Sequence, residues 1–323
     1  MQPPRHTPAS LAGKVIDAHG HIGIHSGFYA AGGYPYCQSV EGLYYRQRAA
    51  GVDVNVVFPF GSHPSGAFPY ELDNRRLLKE VYEFCPEYAE RFLPFLCLDP
   101  GGQVPEQLAA ARALIQAQAV YGIKINPVDC RSPIRRLGTG AGRAVLELAV
   151  EFDLPLVIHA VPQGVDEYST AEDILDIAAA EPRVRFCLAH ALLFHLDLLD
   201  QANRLANVWV DTAAIKIQME LTQQLIRNQT LRGRRLMDLD WHDPRAGIRQ
   251  LAEAYPDLII WGTDSPAYTF ITRRQQGNDQ WFDFRLKGSY EAEVDALMAQ
   301  DTATIRRLAN TNPLNWLFHE RRR

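Results

Sequence analysis

Two histidines, His19 and His21, lie two residues apart in the apolar segment VIDAHGHIG, which begins at Val15. On a β-strand, this spacing directs both side chains to the same face. At the end of a barrel strand that face is the interior mouth, where two imidazoles could bind one metal ion. Neutral histidines also occur in protein cores, satisfied by hydrogen bonds, so the pair alone leaves both interpretations open.

Three further apolar segments end in residues suited to metal binding or proton transfer. These residues are His159 in VIHA, His190 in LAHA and Asp264 in GTDSP. Each histidine could instead be a hydrogen-bonded core residue, and Asp264 could be a helix N-cap before Ser265 and Pro266. Because all of these coincidences together are improbable, the pattern predicts one site to which several strands contribute.

The elements that must position these residues follow from the alternation of short apolar segments with longer segments of helical period. This alternation is typical of repeated βα units around a parallel sheet. The eight predicted strands begin at Val15, Val54, Phe92, Tyr121, Pro155, Arg185, Val208 and Leu258. A doubly wound open sheet usually carries a glycine-rich phosphate loop after its first strand, whereas this first strand ends in histidines. The sequence therefore predicts an α/β fold, a (β/α)₈ TIM barrel.

Two connections are longer than a minimal barrel requires, so we expect insertions after strands 7 and 8. The stretch from Ile215 to Pro244 contains IKIQMELTQQLIRNQ, which predicts an additional helix, and the stretch from Ser265 to Gly288 contains Tyr268. Both would begin at the catalytic face and are candidate lids, although an oligomer contact or packing over the barrel rim is an equal alternative. We expect residues 1–13 to form a flexible N-terminal arm and residues 14–323 to form a single domain.

Composition limits the possible partners. The chain has 323 residues, a formal net charge of -5 and interspersed charges of both signs, so no basic surface is available to bind nucleic acid. Five cysteines without a CxxC pair fit neither a disulfide framework nor a zinc ribbon. We expect a cytoplasmic enzyme that acts on a small molecule and binds no membrane. A homodimer is a further expectation, since barrel helices offer large faces.

The series IDAHGH, GIKINP, VIHA, LAHA and GTDSP resembles the amidohydrolase superfamily, in particular its amidohydrolase-related branch, which also contains decarboxylases. The ending IRRLANTNPLNWLF is similar to the final helix of that family. The resemblance implies that His19, His21, His159 and Asp264 are the metal ligands. It also implies that His190 occupies the catalytic position.

Three neutral imidazoles and one carboxylate suit Zn²⁺, although manganese, iron or cobalt would accept the same ligands. A bound divalent cation can bring the pKa of water from 15.7 to about 7. Asp264 could then accept the released proton, while the metal or His190 polarises the substrate carbonyl. We expect a metal-dependent hydrolase that cleaves an amide, ester or lactone through a metal-activated water.

Lys124 lies near the end of the fourth strand, where binuclear relatives of the family hold a carboxylated lysine that bridges two metals. With His190 as a further ligand, that arrangement would be complete. We favour one metal, because Lys124 could instead bind a substrate carboxylate or pair with Asp17.

Four residues outside the predicted ligand set are candidates for substrate contact. His25 and His63 fall in predicted loops, and Tyr268 and Arg273 follow Asp264. Loops at the mouth of a barrel commonly supply such contacts.

Two other functions are compatible with the same residues. A metal-dependent decarboxylase or hydratase of a small unsaturated or aromatic acid would need a carboxylate site near the metal and a proton donor, roles open to His190 and an arginine. A barrel that binds ligands without turnover is a third hypothesis.

Overall fold

The protein folds into a barrel of parallel strands. The computed structural model describes residues 5–25, 37–60, 70–276 and 280–319, and for residues 269–276 and 280–285 it describes the backbone alone. The eight predicted strands are all confirmed, and each pairs in parallel with the next one along the chain. The strands are β1 Ile16–Ile24, β3 Val54–Pro59, β4 Phe92–Cys97, β5 Gly122–Ile125, β6 Leu156–Ile158, β7 Phe186–Leu188, β8 Val208–Asp211 and β9 Ile259–Ile260, with a short antiparallel strand, β2 Cys37–Gln38, beside β1.

Backbone hydrogen bonds between β1 and the segment after β9 close the sheet on itself. The amide of Asp264 donates to the carbonyl of His19 over 2.8 Å, and the amide of His21 donates to the carbonyl of Ser265 over 2.7 Å. The predicted TIM barrel is therefore confirmed. Closure also brings the end of the last strand beside the first, which places the segments HGH and GTD next to each other.

Helices surround the barrel and connect its strands. Within the described residues, the α-helices are α1 Pro8–Leu11, α2 Val40–Ala49, α3 Tyr70–Lys79, α4 Val104–Ala117, α5 Pro127–Cys130, α6 Arg143–Glu151, α7 Ala171–Ala180, α8 Leu196–Arg204, α9 Ile215–Arg227, α10 Pro244–Ala254, α11 Tyr290–Met298, α12 Thr302–Arg306 and α13 Asn312–Phe318. Short 3₁₀ and π-helical turns extend several of these connections.

The barrel strands are predominantly apolar because both of their faces are buried. In β3, Val56 packs with Phe95 and Trp209 in the cluster that fills the barrel, whereas Val57 packs with Leu96 in the larger cluster between strands and helices. This alternation follows from the two-residue period of a strand between two apolar layers. Polar side chains at the strand ends are thus directed into the mouth of the barrel.

Both predicted insertions are present. After β8, the predicted additional helix is confirmed as α9. The side chain of Glu293 in α11 accepts hydrogen bonds from the backbone amides of Ile215 and Lys216 at the start of α9. After β9, strands β10 Thr269–Gln276 and β11 Gln280–Lys287 form an antiparallel hairpin. Both insertions begin at the carboxyl ends of barrel strands, where lids of barrel enzymes are found; their function as lids stays a prediction.

The described part of the N-terminal segment lies against the barrel. Helix α1 contacts α13, and Leu11 is completely buried. The side-chain Nδ2 of Asn310 donates to the carbonyls of Leu11 and Lys14, which joins this segment to the C-terminal helices. The domain boundary at residue 14 stays a prediction. Among the described helices, none has the length and apolarity needed to cross a membrane.

Candidate metal centre

His19, His21 and Asp264 converge at the mouth of the barrel. Oδ1 of Asp264 lies 3.2 Å from Nε2 of His21 and 3.4 Å from Nε2 of His19. One ligand atom from each of the three residues lies within 4.8 Å of the other two, and all three side chains are buried. Two imidazole nitrogens and a carboxylate oxygen at such distances fit a divalent cation of the zinc type.

The closed barrel explains why residues distant in sequence meet here. A Cβ atom on Gly262 would lie 2.8 Å from Cβ of His19, so only a glycine allows the last strand to approach the first this closely. Asp264 has a left-handed backbone with φ of 61°, a conformation that non-glycine residues adopt at a cost. Its carboxylate is thereby turned toward the two histidines.

The ring of His19 is held from both sides. Its Nδ1 lies 2.8 Å from Oδ2 of Asp211, which is completely buried at the end of β8, and its Nε2 lies 3.2 Å from Nζ of Lys124. Burial holds the pKa of His19 well below its ordinary value, and the nearby Lys124 cation lowers it further. His19 is therefore a neutral imidazole, the form that binds metals.

His159 and His190 form a second pair in the same cavity. Nε2 of His190 lies 2.9 Å from Nδ1 of His159, and Nδ1 of His190 lies 3.0 Å from the carbonyl oxygen of Ala213. Burial, with the neighbouring His190, lowers the pKa of His159 to about 3, so this ring is also neutral at neutral pH. His159 is predicted as a ligand, but it is not one of the three residues whose ligand atoms converge.

Asp264 is the carboxylate of the centre. Burial alone raises its pKa, but the hydrogen bond with His21 and the interactions with His19 and His190 outweigh that effect and hold the pKa of Asp264 below its ordinary value. The ionised carboxylate can therefore act as a ligand or as a proton acceptor at neutral pH.

Lys124 lies at the end of β5 and also faces the cavity. Its Nζ lies 4.5 Å above the ring of Phe58, and burial lowers its pKa. Within the described residues, no ion pair joins Lys124 to Asp17, the alternative pairing. The β1 pairing shifts register between Asp17 and Gly20, and the Asp17 carboxylate accepts hydrogen bonds from the amide and hydroxyl of Thr263.

The cavity around these residues has a volume of about 240 Å³. Its polar lining consists of His19, His21, His25, Lys124, Asn126, Asp129, His159, Asp166, His190, Gln218 and Asp264. An apolar wall comes from the loop after β6, from α9 and from the end of the hairpin. The side chains of this apolar wall are Val161, Val165, Ile217, Leu221 and Leu286.

The four predicted substrate contacts have different positions. His25 lines the cavity, and its Nε2 lies 3.8 Å from Oδ1 of Asp129. Tyr268 is buried in the hydrophobic core and does not line the cavity, because the chain turns inward after Asp264. His63 and the side chain of Arg273 lie outside the described residues.

Two residues that organise the centre are absent from the predicted set. Asp211 ends the strand VWVD just as His159 ends VIHA, so its position at a strand end was a usable signal. Gln38 donates through Nε2 to the carbonyl of His21 over 2.8 Å and accepts from Oγ of Ser265 over 2.7 Å. The sequence around Gln38 does not indicate this role, since it depends on a strand of only two residues.

Comparison with known families gives one match over nearly the whole barrel. A family model described as Amidohydrolase matches residues 16–318. No curated protein matches the chain.

Solved structures of similar fold include a hydrolase and decarboxylases. A probable 2-pyrone-4,6-dicarboxylic acid hydrolase from Acinetobacter baumannii, with citric acid bound, is 15% identical with a TM-score of 0.58, and the match covers 94% of this chain and 99% of that one. A 5-carboxyvanillate decarboxylase from Novosphingobium aromaticivorans, complexed with manganese and 4-hydroxy-3-methoxy-5-nitrobenzoic acid, is 16% identical with a TM-score of 0.58 and coverage of 98% and 99%. The 2,6-dihydroxybenzoate decarboxylase from Rhizobium is 15% identical with a TM-score of 0.56 and coverage of 94% and 98%. At these identities the similarity concerns the fold.

Proposed function

Because the chain belongs to the amidohydrolase family over residues 16–318, we propose that it is a metal-dependent hydrolase that cleaves an amide, ester or lactone bond of a small carbonyl compound. The observation that carries this proposal is the convergence of His19, His21 and Asp264 in a cavity of about 240 Å³. A cavity of this size, at the carboxyl ends of barrel strands, suits a small substrate.

We propose that one divalent cation, zinc in the first instance, is held by His19, His21, His159 and Asp264. Manganese, iron and cobalt accept the same donors. Bound there, the cation would supply a Lewis acid for the substrate carbonyl and lower the pKa of water.

The chain's own residues would move the proton and orient the substrate. The carboxylate of Asp264 is ionised and lines the cavity. It can therefore accept a proton from the attacking water and donate it to the leaving group. Nζ of Lys124 also faces the cavity and can orient a polar substrate oxygen. The apolar wall of Val161, Val165, Ile217, Leu221 and Leu286 would exclude water and receive the apolar part of the substrate.

We assign His190 to holding His159 rather than to proton transfer. Both of its ring nitrogens are engaged, one by the carbonyl of Ala213 and the other by His159. This role differs from the catalytic one that the family resemblance implies.

A carboxy-lyase is the second candidate. Lys124 is a buried cation that faces the cavity, and such a group can bind a substrate carboxylate. Structures similar to this one include decarboxylases of aromatic acids.

One set of assays separates the two candidates. The purified protein would be stripped with a chelator, reloaded with Zn²⁺ or Mn²⁺, and assayed with neutral esters, lactones and amides and with aromatic and unsaturated acids. We expect hydrolysis only after reloading, and no carbon dioxide release. Carbon dioxide release from an acid without any hydrolysis would replace the hydrolase by the carboxy-lyase.

A further inference from the structure

Asp211 lies at the centre of a hydrogen-bond network that reaches two of the proposed metal ligands. We propose that Asp211 is a positioning residue that sets the tautomer of His19 directly and that of His159 through Ala213 and His190, so that both rings present the lone pair of Nε2 to the cavity. This inference rests on the proposed function insofar as the cavity is the metal site.

The first branch of the network is a direct contact. Oδ2 of Asp211 lies 2.8 Å from Nδ1 of His19, and a carboxylate only accepts, so Nδ1 carries the proton. In a neutral imidazole the lone pair is then on Nε2. The position of Lys124 agrees, because its ammonium, which only donates, lies 3.2 Å from that same nitrogen.

The second branch passes through the backbone. Oδ1 of Asp211 accepts the amides of His190 and Ala213, each over 3.0 Å, and so holds the ends of β7 and β8 together. The carbonyl of Ala213 can only accept, so Nδ1 of His190, at 3.0 Å, donates to it. Nε2 of His190 is then an acceptor, and Nδ1 of His159, at 2.9 Å, donates to it. The lone pair of His159 is left on Nε2.

The network reaches two of the three imidazoles proposed as ligands, those of His19 and His159, but not that of His21. Nδ1 of His21 has no hydrogen-bond partner within the described part of the chain, and the His21 ring stacks on Phe60 at 4.5 Å between centroids. Asp211 is completely buried and uses both oxygens, so the network is built around this one carboxylate. Partners of this kind orient metal-binding histidines in general, and their loss commonly weakens metal binding about 10-fold to 100-fold.

The decisive variant is Asp211→Asn. Its amide oxygen can keep the two backbone contacts, but its amide nitrogen then faces Nδ1 of His19 and donates to it. The proton of His19 must move to Nε2, where it blocks the ligand lone pair. We expect Zn²⁺ affinity, measured by competition with a chelating dye, to fall about 10-fold to 100-fold. We also expect ¹⁵N spectra of histidine-labelled, metal-free protein to show the proton of His19 on Nε2.

Glu293→Gln is the matched control. Glu293 is as deeply buried as Asp211, but within the described residues the hydrogen bonds that its carboxyl group accepts come from the backbone amides at the start of α9. The same carboxyl-to-amide change there is expected to leave both the histidine tautomers and the Zn²⁺ affinity as in wild type. A loss of Zn²⁺ affinity in this control as large as in Asp211→Asn would attribute the effect to instability and overturn the assignment.

The wild-type spectrum keeps the inference testable even if Asp211→Asn does not fold. Assigned through single His→Asn variants, metal-free wild type is expected to carry protons on Nδ1 of His19, His159 and His190. A proton on Nε2 of His19 or of His159 refutes the role of Asp211. Failure of wild type to bind any divalent metal would instead refute the proposed function, and the spectrum would still decide the tautomers.

Discussion

Nζ of Lys124 lies 3.2 Å from Nε2 of His19, the nitrogen that we propose as a metal ligand. The same lone pair cannot serve the ammonium and a cation at once. We therefore expect that binding of the metal would release Lys124 from His19 and make the lysine available to the substrate.

Lys124→Met tests whether the centre holds one metal or two. We expect one Zn²⁺ per chain by elemental analysis in both wild type and variant, and an affinity in the variant at least equal to that of wild type, because a competing cation has been removed. Turnover should fall, since the substrate loses a polar contact. Two metals in wild type and one in the variant would establish the binuclear centre with a carboxylated lysine.

Substitutions at His19 and His190 separate a ligand from a residue that positions one. His19→Ala should lose bound metal and activity together. His190→Ala should keep a metal site weakened about tenfold, because only the orientation of His159 is lost. His190→Gln, whose amide can accept from His159 and donate to Ala213, should recover part of that affinity. Equal metal content and affinity in wild type, His19→Ala and His190→Ala would contradict the ligand assignment.

The apolar wall predicts a preference for substrates that carry an apolar group. Leu221 of α9 lines the cavity, whereas Ile226 of the same helix is exposed. Leu221→Ala should lower kcat/KM for an apolar ester about tenfold, the usual effect of removing methylene contacts, and should affect a small acetyl ester less. Ile226→Ala controls for changes in the helix itself. A uniform loss across the ester series would speak against substrate contact at Leu221.

The buried carboxyl of Glu293 predicts a specific pH dependence of stability. Burial raises its pKa well above the ordinary value of 4.5, so the folded state keeps a proton that the unfolded state releases. The group therefore stabilises the fold fully below pH 4.5, and this contribution is lost as the pH rises toward the folded pKa. In urea titrations from pH 4.5 to 8, wild type should lose stability relative to Glu293→Gln, by up to about 1.4 kcal/mol for each pH unit. A difference between the two proteins that does not change with pH would show that Glu293 is ionised in the folded state.

Most of the architecture was open to prediction from sequence. Each barrel strand is a short apolar segment because it is buried on both faces, so VNVVFPFG and FLPFLCLDP could be recognised without any knowledge of their partners. The additional helix after strand 7 follows in the same way from its own period. The strand ends that carry His19, His159 and Asp264 could be identified as a common site because the carboxyl ends of barrel strands all open on one face.

What local pattern could not provide is the set of contacts made across the closed barrel. Strict alternation would place Asp17 on the face of His19, but β1 shifts register after Asp17, and the Asp17 carboxylate accepts a hydrogen bond from the Thr263 hydroxyl. Tyr268 follows Asp264 in the chain yet turns into the core. The link between Asp211 and His19 joins residues 192 positions apart. Residue types and their positions at strand ends indicate which side chains can take part in chemistry. The direction of each hydrogen bond and the tautomer of each histidine depend on pairs of residues that meet only when the barrel closes.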